Sequence, residues 1–393
     1  MEKKVKVLYV LTKLELGGAQ KVCLSLLKGI QENGQFGALI SGSQGVLVSE
    51  AEKLNNVFLL KDFKREVGIK NITMEFKVFF RLIKKIKQLK KKYPDLIVHT
   101  HSTKAGILGR WAAFFVRVKY IVHTVHGFGF HEFQNKISWT IIFLFEYFTA
   151  FITDHYVCVS KSDCEIGKRY LPFFSKRSSI IRAAVEWDKF YLPAKKIPDK
   201  FYGATKTENF NCEKFIIGTV SCFKPQKNLF DLLKAFKELY TSLNVEIKEN
   251  LLLQIIGDGV QRPLIEDWII KNKLEDNVEI LGWQNDVSSW MKKWNLFVMS
   301  SLWEGLPCAV IEARLSKLPV ITYKIAGIPE VIKENKNGFL VEAGNWKVLC
   351  EKICQIILDK NLLEKMSNYT DNLEDFKNEK MIDYHLGLYK QLI

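Results

Sequence analysis

No two cysteines stand at C-x-x-C spacing in this 393-residue chain; all eight are scattered singly. Neither a disulfide framework nor a cysteine-rich structural zinc site is expected, and a reducing compartment is. No G-x-G-x-x-G run follows a strand candidate, which argues against a dinucleotide-binding oxidoreductase. Long hydrophobic runs are missing too. The nearest, WTIIFLFEYFTAFIT (139–153), is short of the ~20 residues a bilayer span needs and carries Glu146, so it reads as a buried helix. The first residues run into a strand and a glycine loop with no small-residue cleavage site, so no secretory leader is expected.

What is present begins with charge. Between Met1 and Leu192 basic residues outnumber acids by the whole excess of +15, and the remainder is balanced. The densest piece, FKVFFRLIKKIKQLKKKYPD (76–95), sets Phe76, Phe79, Phe80, Ile83, Ile86 and Leu89 at helical spacing among Lys84, Lys85, Lys87, Lys90, Lys91 and Lys92. Such a helix either meets an anionic lipid surface or docks on its own sheet with solvated lysines. Nucleic acid is not expected as a partner, because no helix-turn-helix, zinc or RNP-like pattern accompanies the charge.

Hydrophobic content of 48% is that of a globular protein, and the length suggests two domains. Near-continuous apolar strands alternate with helical patterns in both halves: KVKVLYVLT, GALIS, VFLL, DLIVHT, KYIVHTVH, HYVCVS and SSIIRAAV, then FIIGTVS, LLLQIIG, NVEILG, LFVMS, PVITY and GFLVE. The pattern predicts α/β architecture, two doubly wound Rossmann-like parallel sheets covered on both faces. Residues 1–192 form the first domain, the polar stretch 193–213 a linker, and residues 214–375 the second domain. In such sheets ligands bind beyond the carboxyl ends of the strands.

The residues at those ends carry the chemistry. Glu304 follows strand candidate LFVMS, and Glu312 lies about two helical turns further on, with Gly305, Leu306 and Pro307 as the turn between and proline at the helix start. A helix start attracts phosphate and carboxylates accept bonds from sugar hydroxyls, a pairing that suits a nucleotide sugar. Lys224 and Lys227 sit before a helix expected to be capped by Asn228; they are counter-charges for a diphosphate or plain surface lysines. Gly257 and Gly259 follow another strand. Gly17 and Gly18 form a turn that permits positive φ and close approach of a ligand, or is merely structural. Five of the seven histidines lie in HTHSTKAG and HTVHGFGFHEF. Alternation points His99 and His101 the same way, with His123 joining them. His126, before a Gly-Phe-Gly turn, should be exposed at the sheet edge, to orient a hydroxyl or accept a proton, unless it is only a packed loop residue. No zinc spacing supports a metal there.

Together these runs resemble the family 4 glycosyltransferases, retaining enzymes of the GT-B fold, from about Val5 to Leu358. EGLPCAVIE (304–312) matches the family's E-G-x-P-x-x-x-x-E, supported by GGAQ, His126-Gly127, VSKSD, PQKN, GDG, AGIPEVI and NGFLV. LTKLELGGAQ, HSTKAGILGR and VHTVHGFGF most resemble bacterial enzymes of capsule, exopolysaccharide and other lipid-linked glycans. The resemblance implies an interdomain cleft and a C-terminal helix, residues 376–393, returning to the first domain. Glu312 would bind the donor ribose, and Glu304 with the amides of Gly305 and Leu306 the sugar and diphosphate. Lys227 would neutralise the leaving diphosphate, His126 would sit beside the anomeric centre, and Gly17 and Gly18 would close over the phosphates. No cofactor or metal is implied. The partners would be a UDP-linked sugar, a lipid-linked glycan and the inner face of the cell membrane, to which a cytoplasmic protein would attach peripherally. A GT-B epimerase or phosphorylase, or a non-catalytic membrane partner, are the alternatives. Two departures stand out: Cys222 occupies the place of a customary arginine, and Ala183-Ala184-Val185-Glu186 replaces N-G-V-D.

Overall fold

The computed structural model describes residues 4–64, 72–195 and 214–393. All thirteen strand candidates form strands. Seven make one sheet: β1 (Lys6–Val10), β2 (Phe36–Gly42), β3 (Val57–Leu60), β4 (Ile97–His101), β5 (Tyr120–Val125), β6 (His155–Cys158) and β7 (Ser178–Ile180), in the order β3-β2-β1-β4-β5-β6-β7. Six make the other: β8 (Phe215–Val220), β9 (Leu251–Ile256), β10 (Val278–Gly282), β11 (Leu296–Met299), β12 (Val320–Tyr323) and β13 (Gly338–Val341), ordered β10-β9-β8-β11-β12-β13. All pairings between these strands are parallel. The order reverses between β1 and β4 and between β8 and β11, so each sheet opens a crevice at those carboxyl ends.

Backbone contacts divide the chain into unit 1, Met1–Val185 with Glu374–Ile393, and unit 2, Glu186–Leu373. Residues 186–192, expected with the first domain, belong to the second. Leu192 N–H bonds Leu315 O at 2.9 Å and Ser316 Oγ donates to Phe190 O at 3.2 Å. Of the linker, 193–195 pack on unit 2, where Lys195 N–H reaches Asn368 Oδ1 at 3.2 Å; residues 196–213 lie outside the described residues. The last helix, Asn378–Leu392, packs on the Gly18–Glu32 helix of unit 1 so closely that a Cβ at Gly29 would stand 2.2 Å from Ile382 Cδ1.

Two helices of unit 1 depart from expectation. In the basic helix, Ile72–Lys92, Val78, Leu82 and Ile86 are buried against the sheet, but Phe76 and Phe80 are 60% and 63% exposed. Lys85 Nζ lies 3.4 Å from the Phe58 ring centroid, and Lys90 donates to Val116 O and Arg117 O. Lys84, Lys87, Lys91 and Lys92 face solvent. The run read as a buried helix forms Lys136–Ala150, and Ile141, Phe145 and Phe148 on it are exposed. Among the described residues no helix is long and apolar enough to cross a membrane.

Candidate active site

In unit 2 the carboxyl ends of β8 and β11 are adjacent, and side chains and backbone knit their loops together. After β8 the chain makes a short 3₁₀ turn, Pro225–Lys227; after β11 it runs through Ser300 to the helix Cys308–Leu315. Ser300 Oγ donates to Asn228 O at 2.9 Å, Leu302 N–H to Gln226 O at 2.8 Å, and Gln226 Nε2 to Trp303 O at 2.7 Å. These bonds set Lys227 Nζ against Glu304 Oε1 in an ion pair whose two side chains are mostly buried. A partly desolvated charge pair at a crevice is a ready exchange partner, since an incoming anion can take over the ammonium and a sugar hydroxyl the carboxylate.

Beyond Glu304, Gly305 O accepts from Gly327 N–H at 3.1 Å, which ties in the AGIPEV loop. Pro307 is the residue before the first helical one (φ −71°, ψ 118°), so the helix starts at Cys308, one position later than expected. Glu312 lies about one turn inside the helix, four residues past Cys308 and eight past Glu304. It is buried, on the same helix side as Cys308. The amides of the first turn have no intrahelical acceptor and leave partial positive charge at this end.

The Lys227 loop is held by Asp231, Tyr323 and Ser221 acting on Asn228 and Gly257. Asn228 adopts φ 44° and does not cap through its side-chain oxygen; its Nδ2 donates to Asp231 Oδ2 at 2.6 Å, which Tyr323 OH also reaches at 2.7 Å. Gly257 has φ 129°, and a Cβ there would lie 1.8 Å from Ser221 O. It lets β9 press against the loop bearing Lys224 and Lys227. Lys224 and Cys222 are half-buried in that loop.

Unit 1 presents a different chemistry. His99 and His101 do share one face of β4, with rings stacked at 4.6 Å. His123 turns to the opposite side, where Thr100 Oγ1 meets its Nδ1 at 2.8 Å and the helix Thr103–Phe115 passes so close that a Cβ at Gly106 would stand 2.5 Å from its ring. His126 is half-buried and not free at an edge: its Nε2 and His101 Nδ1 are 3.0 Å apart. His99 bonds Tyr389 OH at 2.5 Å and Thr124 Oγ1 at 2.7 Å; Tyr389 OH meets Tyr9 OH at 3.1 Å; and the His385 ring lies 5.7 Å from that of His99. His385 and Tyr389, one turn apart on the Asn378–Leu392 helix, were missed; their i, i+4 spacing was the available signal. Burial pushes His126 and His385 down to about 4. His99 and His101 fall well below the ordinary range through burial first and the neighbouring imidazoles second. At neutral pH the cluster is therefore uncharged, each ring offering one donor and one acceptor.

Gly17 precedes the Gly18–Glu32 helix with an ordinary extended φ of −162°, so positive φ is not its role. Gly45 (φ 120°) does that work for the loop after β1, its missing Cβ leaving room for Leu14 O.

Comparison with known proteins agrees with this geometry. The sequence pattern described as "Glycosyltransferase Family 4" matches residues 16–188, and that described as "Glycosyl transferases group 1" matches 204–373. The UDP-Gal:alpha-D-GlcNAc-diphosphoundecaprenol alpha-1,3-galactosyltransferase of Escherichia coli is 31% identical over 99% of this chain and 98% of its own. The capsular polysaccharide biosynthesis glycosyltransferase CapM of Staphylococcus aureus is 27% identical over 73% of each. Anabaena HepE, crystallised with UDP and glucose, shares the fold at a TM-score of 0.77 and 17% identity, covering 98% of this chain and all of its own. The architecture is thus GT-B, and the chain belongs to the family 4 glycosyltransferases.

Proposed function

We propose that the protein transfers a hexose or N-acetylhexosamine, with retention of anomeric configuration, from a UDP-sugar to a hydroxyl of a lipid-linked glycan. Unit 2 takes the donor: Glu312 holds the ribose, Glu304 the sugar hydroxyls, and Lys227 with the amides around Gly305 and Leu306 the diphosphate. As the anomeric bond breaks, negative charge grows on the leaving diphosphate, and a fixed ammonium and backbone dipoles stabilise it there. The reading calls for no metal or cofactor. The acceptor hydroxyl attacks from the face the diphosphate leaves, and its proton passes to the departing phosphate. Neutral His126, on unit 1, orients a sugar hydroxyl. Peripheral attachment at the inner face of the cell membrane would bring the enzyme to a lipid-borne acceptor.

The observation that carries this reading is the bonded tie between the Pro225–Lys227 turn and the Glu304 loop, which places a lysine and a carboxylate at the switch point of the sheet. The E. coli relative, whose printed name gives a UDP-galactose donor and a diphosphoundecaprenol-linked acceptor, supports the substrate classes. The test is product analysis with a sugar-labelled UDP donor and a lipid-diphosphate acceptor. Label should appear on the acceptor, with the donor's anomeric configuration in the proton coupling of the new linkage. Label confined to the donor, or an inverted linkage, would defeat the proposal.

A further inference from the structure

The Lys136–Ala150 helix is built polar side in. Glu146 is buried and pairs with Arg110 Nη2 at 2.7 Å; Thr149 Oγ1 accepts from Trp111 Nε1 at 2.9 Å; Thr153, just past the end, meets Arg110 Nη1 at 3.1 Å. The water-facing side is apolar: Ile137, Ile141, Leu144, Phe145 and Phe148 are 43–74% exposed at successive i, i+4, i+7, i+8 and i+11 positions. Phe151 continues the row and meets Phe173 at a ring-centroid distance of 5.7 Å, while Trp111, bonded to Thr149, packs against exposed Phe114 and Phe115 on the neighbouring helix. Isolated exposed apolar residues are ordinary, but a contiguous stripe opposite a satisfied polar face marks a surface meant to be covered.

We propose that this face docks on an anionic bilayer, resting in the headgroup–acyl boundary without crossing it. The charge around it selects lipid as the occupant. Lys136 opens the stripe's helix, exposed Arg169 lies 5.4 Å over the Tyr170 ring, which meets Trp139 of that helix, and the Arg177 guanidinium, next to exposed Lys176, lies 5.1 Å over the Phe173 ring, a cation at the apolar edge. Unit 1 also carries the chain's entire net charge of +15, unit 2 being balanced. On the basic helix, Phe76, Phe80, Lys84, Lys87 and Lys91 share one outward side, apolar first and basic after, and Phe79 beside them meets Phe115 at 6.0 Å. An apolar stripe bordered by lysine and arginine is the pattern of an interfacial surface, where acyl chains take the rings and phosphates the cations. The inference rests on the lipid-linked acceptor proposed above and adds where the bilayer sits.

The experiment is co-sedimentation of the full chain with vesicles of equimolar phosphatidylglycerol and phosphatidylethanolamine, and with phosphatidylcholine alone. The triple variant Ile141→Ser, Phe145→Ser, Phe148→Ser changes only exposed positions. Its partitioning onto the anionic vesicles should fall by about tenfold or more, while its UDP affinity and melting temperature stay at wild-type values. A second variant, Phe114→Ser with Phe115→Ser, should show a smaller loss in the same direction. Undiminished vesicle binding by the triple variant would overturn the proposal, as would a wild-type dimer that the substitutions dissociate. Lack of sugar transfer by the wild type would sink the enzymatic reading and leave the vesicle result standing.

Discussion

All seven histidines of this chain fall in unit 1 and none in unit 2, while the buried-edge ion pair of the donor loops, Lys227 with Glu304, belongs to unit 2. Both units share one topology and both place their chemistry at the switch point of the sheet. One crevice is furnished with charge, helix-start amides and backbone turned by glycine. The other is furnished with imidazole and phenol rings held neutral by burial. The proposed transfer assigns the anionic diphosphate to the first and the hydroxyls, which must be oriented and not ionised, to the second. One topology thus carries two different sets of side chains at its switch points, joined in unit 1 by His385 and Tyr389 of the last helix.

The sharpest way to break that division is to remove the cation. Lys227→Ala should lower kcat/KM by about a hundred- to a thousand-fold, and Glu312→Ala should weaken UDP binding. His126→Ala should reduce turnover while leaving UDP affinity unchanged. Equal loss of UDP affinity from the histidine variant would erase the distinction between the units.

Acid should separate the units next. The histidines of unit 1 are held below the unfolded value of 6.5, with His126 and His385 at about 4. Under pH 6.5 the unfolded chain therefore binds protons that the folded cluster refuses. Stability is fully present above about 6.5 and is lost as pH falls towards 4. Amide exchange followed peptide by peptide should show unit 1 opening at higher pH than unit 2; simultaneous opening would count against the cluster. Gly257→Ala tests the other side, forcing a side chain into φ 129° against Ser221 O. It should cost about 1–3 kcal/mol, read as a lowered melting temperature with UDP affinity reduced.

How far these contrasts could be read in advance differs by residue. Every strand was legible, because both faces of each sheet are covered and the strands are continuous apolar runs. EGLPCAVIE and PQKN stood out as candidate site segments, but their pairing did not, since Ser300 and Gln226 do the tying through backbone carbonyls that no side-chain pattern reveals. His385 and Tyr389 were hidden by distance: Tyr389 meets His99 across 290 positions. The Lys136–Ala150 helix was misread for a physical reason. An apolar stripe looks the same in sequence whether it faces a core or the outside, and only Arg110 beneath Glu146 shows which side is inside.

Smaller effects sharpen the picture. Tyr389→Phe removes the hydroxyl shared by His99 and Tyr9 and should destabilise unit 1 by about 1 kcal/mol, measured by urea unfolding. Among the basic-helix lysines, Lys84→Gln should weaken binding to anionic vesicles several-fold, about 1 kcal/mol. Lys90→Gln should change it little, because Lys90 is already bound to Val116 O and Arg117 O. Equal effects from both would mean the lysines act as a diffuse field.

The central claim is that the strand-end loops of unit 2 hold the donor's nucleoside diphosphate. Calorimetric titration of UDP into the wild type and into Lys227→Ala and Glu312→Ala tests it most directly. Saturable binding by the wild type is expected, with a loss of about tenfold or more in each variant. Wild-type UDP affinity retained in both variants would contradict it.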